Sequence, residues 1–178
     1  MPLDHLLDGK LLGDALSAGR AQPFSKIRVV QKLLRRPGEP WFAGLRTYPL
    51  AVLLLIVWLP AFEAAAAWGI LAFGDAAAAL VGTRVRSPSL FGHPKATWAG
   101  STAYVAVGGL AAYGLSAGAA ALAAATGWVD GGAPPTAVAC FAAALGAAIL
   151  DLLPLPPDDN LPAAAGAGGV LTAFRMLS

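Results

Sequence analysis

The sequence predicts an all-α membrane protein: a polytopic transmembrane helix bundle of about five spans behind a basic, amphipathic N-terminal segment. Three observations predict it. Of the 178 residues, 57% are hydrophobic and only 12% charged, and the mean hydropathy is +0.66. Ordinary soluble domains carry about 25% charged residues. The apolar residues fall in long runs broken by short segments rich in Pro, Gly or charge. No period-two alternation suggests a barrel, and only helices and closed barrels satisfy every backbone N–H and C=O in lipid.

Residues 1–42 form the first unit. Leu3, Leu6, Leu7 and Leu11 recur at helical spacing. After Ser25, a candidate cap, Ile27, Val30 and Leu34 oppose Lys26, Arg28, Lys32 and Arg35. Basic amphipathic helices of this kind lie on anionic membrane surfaces; the alternative is a cytoplasmic cap packed on the bundle. The segment has no apolar core of the secretory-signal type. Arg35–Pro40 (RRPGEP) breaks the helix and leads into the second unit, residues 43–178.

That unit contains five apolar stretches. Ala43 to Leu59 includes YPLAVLLLIVWL. Ala61 to Val81 is long enough to span but carries Glu63 and Asp75. Ser101 to Thr126 is uncharged and Ala/Gly-rich. Thr136 to Leu153 bears Asp151 near its end, and Leu161 to Leu177 is short, glycine-rich and carries Arg175. A span takes about 20 residues, in a range of about 17–25. The small residues predict close helix packing, with Gly114 and Gly118 as a small-xxx-small pair and Gly166, Gly168 and Gly169 crowding the last helix. The single Cys140 excludes an intrachain disulfide and reads as a small core residue.

Charge sets the expected orientation. Lys10, Arg20, Lys26, Arg28, Lys32, Arg35, Arg36 and Arg46 precede the first span's core, and Arg84, Arg86 and Lys95 lie between Gly82 and Gly100. The connections Pro60–Phe62 and Gly127–Pro135 carry no Lys or Arg. The positive-inside rule puts the N-terminus and the loop after Gly82 in the cytoplasm. Alternation brings Pro154–Asn160 to the same face.

Asp75 then becomes the focal residue. A carboxylate inside an apolar span costs at least about 2.5–3.5 kcal/mol and marks a functional site by default. It lies seven residues before Gly82, or about 10 Å of helix. Asp158, Asp159 and Asn160 of the PDDN segment come to the same face, beside Arg84, Arg86 and Lys95. Carboxylates that hold Mg²⁺ next to cations that hold phosphate are the two halves of a metal–nucleotide site. The competing structural assignments are an Asp75–arginine pair, Arg84 and Arg86 as topology signals, and Pro157–Asn160 as a turn. His5 and His93 read as surface and loop residues. No Walker loop, zinc spacing or Ser/His/Asp arrangement occurs.

GDAAAALVG (Gly74–Gly82), the basic loop, KATWAGS (Lys95–Ser101) and DDNLP (Asp158–Pro162) resemble the polyprenol kinase family. LLRRPGEPWFAGLRTYPL is also similar to the stretch preceding that family's catalytic half, so the resemblance covers about Leu34 to Gly169. It implies a membrane-embedded lipid-alcohol kinase of the dolichol, phytol or farnesol type, using a nucleoside triphosphate, CTP first, with Mg²⁺. It implicates Asp75, Lys95 and Asp159 in catalysis, and Asp75, Asp158 and Asp159 in holding the metal. Gly82, Arg84, Arg86, Lys95, Thr97, Gly100, Ser101 and Asn160 would bind nucleotide, with Gly74 beside Asp75. The expected partners are the nucleotide, a lipid alcohol and membrane lipids, with no nucleic acid; a homo-oligomer is compatible. The expected location is the cell membrane, with the site facing the cytoplasm.

Three departures stand out. Ala96 replaces a second basic residue, Ala99 replaces an acidic one, and the early Arg-Lys…His segment of longer members has no counterpart. PKATWAG is also similar to the Lys-Thr-Trp loop of CDP-diacylglycerol synthases, whose C-terminal signature is missing. A non-catalytic membrane scaffold or transporter is the alternative outside enzymes, although no internal repeat supports a transporter.

Overall fold

The computed structural model describes residues 43–94, 96–127, 132–153 and 159–177. The chain divides after Phe42, and the described residues all belong to the unit Ala43–Ser178. The amphipathic segment expected over residues 1–42 lies outside the described residues.

Five helices carry the fold among the described residues: α1 (Ala43–Trp58), α2 (Ala61–Arg84), α3 (Trp98–Thr126), α4 (Ala137–Asp151) and α5 (Asn160–Leu177). α1 continues through Pro49 and stops before Pro60, whose ring disfavours helical backbone at the preceding residue. Pro60 (φ −53°, ψ 151°) turns the chain, and its carbonyl accepts from Ala64 N at 2.8 Å to open α2. α2 and α1 run antiparallel, tied by Trp68 Nε1 donating to the Tyr48 hydroxyl at 3.1 Å. Thr136 caps α4 by accepting from Ala139 N at 3.2 Å, and Gly127 ends α3 at φ 69°.

Consecutive helices cross closely where both lack side-chain bulk. A Cβ on Gly166 of α5 would lie 2.7 Å from the Gly146 carbonyl oxygen of α4. Gly108 of α3 faces Gly74 of α2 and Ala144 of α4. α5 returns beside α1 and runs parallel to it: Asn160 meets Thr47, and Gly168 meets Leu55 and Leu59. The Gly114–Gly118 pair corrects the sequence expectation. Both glycines lie on an exposed face of α3, with no atom of the described residues within 4 Å of a built Cβ. They mediate no packing among the described helices. α3 turns Gly108, Ala112 and Ser116 inward instead.

The core is built of small residues. Ala51, Ala66, Ala67, Ala112, Ala143, Ala144, Ala147 and Ala167 are fully buried, and only Ile70, Leu171, Cys140 and Ser116 stand out there by volume. The large apolar side chains point outward, including Ile56, Val57, Trp58, Leu110, Leu122 and Val138. Two helices, α2 with 24 residues and α3 with 29, are long and apolar enough to cross a membrane. α1 has 16 residues and α4 has 15, about 24 and 23 Å of helix against a hydrocarbon core of about 30 Å. On length and composition, two of the five expected spans meet that test among the described residues.

Candidate functional site

Antiparallel packing gathers one end of the bundle. The N-termini of α1, α3 and α5 meet the C-termini of α2 and α4 there, joined by the Val85–Thr97 loop. Asp75 lies on α2 about two and a half turns in from Arg84. The five residues before it, Ile70–Gly74, form a π-helical turn. Such turns insert one residue into the helix and cluster at functional sites. Asp75, the residue that follows the turn, is exposed.

Tyr104 of α3 is the pivot. Its ring packs on Gly74, where a Cβ would lie 3.1 Å from Tyr Cε1, and the residue is 2% exposed. The charges of Asp151, Asp75 and Asp159 all bear on its phenol. Carboxylates from the end of α4, the middle of α2 and the start of α5 thus lie within electrostatic reach of one buried hydroxyl-bearing side chain. Oxygen donors suit hard cations such as Mg²⁺, which takes one or two protein carboxylates and fills its remaining positions with water and substrate phosphate. Among the described residues, no three His, Cys, Asp or Glu side chains sit closely enough to hold a metal by themselves.

The basic loop is ordered by its own hydrogen bonds. Leu90 N donates to the Ala96 carbonyl at 2.8 Å, Ala96 N donates to His93 Nδ1 at 3.1 Å, and Ser89 bridges Thr97. The start of α3 is fully satisfied. Trp98 N donates to the Pro88 carbonyl at 3.2 Å, Ala99 N to Ser87 Oγ at 3.1 Å, Gly100 N to Thr97 Oγ1 at 3.1 Å, and Ser101 N to the Thr97 carbonyl at 2.9 Å. A helix N-terminus binds phosphate through open amides, and this one has none to offer. Gly82 and Gly100 are explained by contact too. A Cβ on Gly100 would meet the Ala78 carbonyl oxygen and the Thr97 hydroxyl, each at 3.1 Å, and would lie 3.3 Å from Gly82 Cα. Gly82, Thr97 and Gly100 thus form the crossing of α2 and α3. The Thr97 hydroxyl proton stays available to donate while its oxygen caps the helix.

Arg84 and Arg86 are exposed at the same end, and Ser101 is half-buried one turn into α3. Asp159 precedes α5 and its carbonyl accepts from Ala163 N at 3.0 Å. Asn160 Nδ2 donates to Thr47 Oγ1 at 3.2 Å, which fastens α5 to α1. Lys95 and Asp158 lie outside the described residues. Tyr104 and Asp151 are the functional-site neighbours that the sequence motifs do not include. The signal for Tyr104 is its i, i+4 spacing between Gly100 and Gly108, which places a lone large side chain on a face of glycines.

Compared with protein-family models, with characterised proteins and with solved structures, the chain finds no match.

Proposed function

We propose that the chain is a polytopic membrane protein of about five spans acting as a lipid-alcohol kinase. The carrying observation is that Asp75, Asp151 and Asp159 come from three helices to the end of the bundle that also bears Arg84 and Arg86, within electrostatic reach of the buried Tyr104. Two further features support the membrane assignment. The bundle has an alanine interior and turns its bulky apolar side chains outward, the distribution expected where lipid, rather than water, is the solvent. The short helices α1 and α4 flank the two long ones, and local bilayer thinning accommodates short spans at modest cost.

In this proposal Asp75 and Asp159 would hold Mg²⁺, which would supply positive charge against the transferred phosphoryl group. Asp151 adds negative charge that favours the ion. Lys95, helped by one of Arg84 and Arg86, attracts the triphosphate through its side chain, since the amides of α3 are already bonded. Thr97 and Ser101 hydroxyls donate to phosphate oxygens. The lipid hydroxyl enters from the bilayer side of α2, and CTP is the first donor to try because of the family resemblance.

The deciding assay incubates purified protein with Mg²⁺, a nucleotide panel and isoprenoid or glyceride alcohols. A kinase releases nucleoside diphosphate. Pyrophosphate release from CTP with phosphatidate selects the cytidylyltransferase alternative, and no turnover with any pair removes both enzymes. Orientation is tested with single cysteines at Ser89 and Asp130 in a Cys140→Ala background. Labelling from opposite sides is expected, and labelling from one side defeats the topology.

A further inference from the structure

The Val85–Thr97 loop holds one bulky residue in an unfavourable backbone region. Phe91 has φ 49° and ψ 31° and is 86% exposed, while its neighbour Leu90 is buried at 6%. Side chains with a Cβ disfavour the left-handed region, and no interior contact compensates here. The loop's hydrogen bonds hold Leu90 inward and Phe91 outward. Trp98, the first residue of α3 and itself 48% exposed, meets the Phe91 ring edge to face, with centroids 5.2 Å apart and planes at 63°. This aromatic knob stands where the two long apolar helices end, next to the exposed Arg84 and Arg86.

Aromatic rings partition to the headgroup layer, and cations beside them attract anionic lipid. We infer that the Phe91–Trp98 pair is a membrane-interface anchor: it seats the loop in the headgroup layer of the leaflet at the Asp75 end, with Arg84 and Arg86 against lipid phosphates. A soluble partner would find the knob level with the helix ends, where headgroups already stand, so an anionic phospholipid surface is the occupant. The inference rests on the membrane assignment above and not on kinase activity. The anchor fixes the loop's height against the bilayer and holds the Asp75 end of the bundle at the depth of a lipid headgroup.

The test uses full-length protein in nanodiscs of phosphatidylcholine and phosphatidylglycerol. The emission difference between wild type and Trp98→Phe isolates Trp98 from the other tryptophans. Shallow acyl-chain bromines should quench that difference about twofold more than deep ones, and aqueous acrylamide should reach it poorly. Phe91→Gly relieves the backbone strain, so Tm in detergent should hold or rise while acrylamide access to Trp98 about doubles. Arg84→Gln with Arg86→Gln should abolish any dependence of the bromine quenching on phosphatidylglycerol. Free acrylamide access with no bromine quenching places the loop in water and overturns the inference. Protection from both quenchers, which means a protein covers the knob, overturns it equally. A chain that never enters nanodiscs removes the membrane assignment, and the anchor with it.

Discussion

The two ends of the bundle treat buried charge in opposite ways. At one end, Glu63 of α2 is 5% exposed and pairs with Arg175 of α5 at 3.4 Å. At the other, Asp75, Asp151 and Asp159 lie within electrostatic reach of Tyr104 with partial or full exposure. The first arrangement neutralises itself. It joins the start of α2 to the end of α5, although Glu63 Oε2 has no hydrogen-bond partner. The second places three carboxylates at the end of the bundle that carries the basic loop. The buried pair is a strut; under the proposed function the carboxylates at the other end would hold a metal ion.

The sharpest way to break this contrast is Asp75→Asn. The amide keeps the shape and removes the charge, so turnover should fall by about 10²–10³, or about 2.7–4 kcal/mol, while the detergent-solubilised protein keeps its Tm. Wild-type turnover in a folded variant makes Asp75 a strut as well. The converse substitution is Arg175→Ala. It strips the partner from a buried carboxylate and should cost about 1–3 kcal/mol of stability, discounted because Arg175 is 43% exposed. Adding Glu63→Gln should recover most of that loss in thermal unfolding. If the double variant is no more stable than the single one, the pair contributes no coupling and the strut assignment fails.

Two smaller effects sharpen the comparison. Tyr104→Phe keeps the ring on Gly74 and removes the hydroxyl within electrostatic reach of the carboxylates. We expect an unchanged Tm and a change in the Mg²⁺ dependence of turnover worth about 1 kcal/mol, the scale of one hydrogen bond. An unaltered Mg²⁺ titration would show that the phenol only fills space. Thr97→Ala removes the α3 cap and should cost about 1 kcal/mol of stability, which Thr97→Ser restores. If Thr97→Ser restores stability but leaves the Michaelis constant for nucleotide raised, Thr97 also contacts phosphate.

The helices themselves were legible. Apolar runs expected at residues 43–59, 61–81, 101–126, 136–153 and 161–177 appear as helices at Ala43–Trp58, Ala61–Arg84, Trp98–Thr126, Ala137–Asp151 and Asn160–Leu177. Pro60 and Gly127 marked real boundaries, because a missing N–H or a left-handed turn is a local property. The gathering of Asp75 and Asp159 at one end was also legible, since alternation of antiparallel helices needs only their order. The π-helical turn before Asp75 was not. Its residues, ILAFG, carry no local marker, and only packing against α3 decides that the helix widens there.

Sequence by itself therefore determined the all-helical class, the helix ends and the shared end of the bundle for Asp75 and Asp159. These depend on composition and on contacts within a few residues. Tertiary structure decided which glycines touch, and it turned Gly114 and Gly118 outward while it closed Gly146 on Gly166. It also brought Tyr104 within electrostatic reach of three carboxylates. In helices so rich in small residues, every face is nearly alike in hydrophobicity. The rotation of each helix is then set by where two backbones can come closest, and that is a property of pairs of helices rather than of either sequence alone.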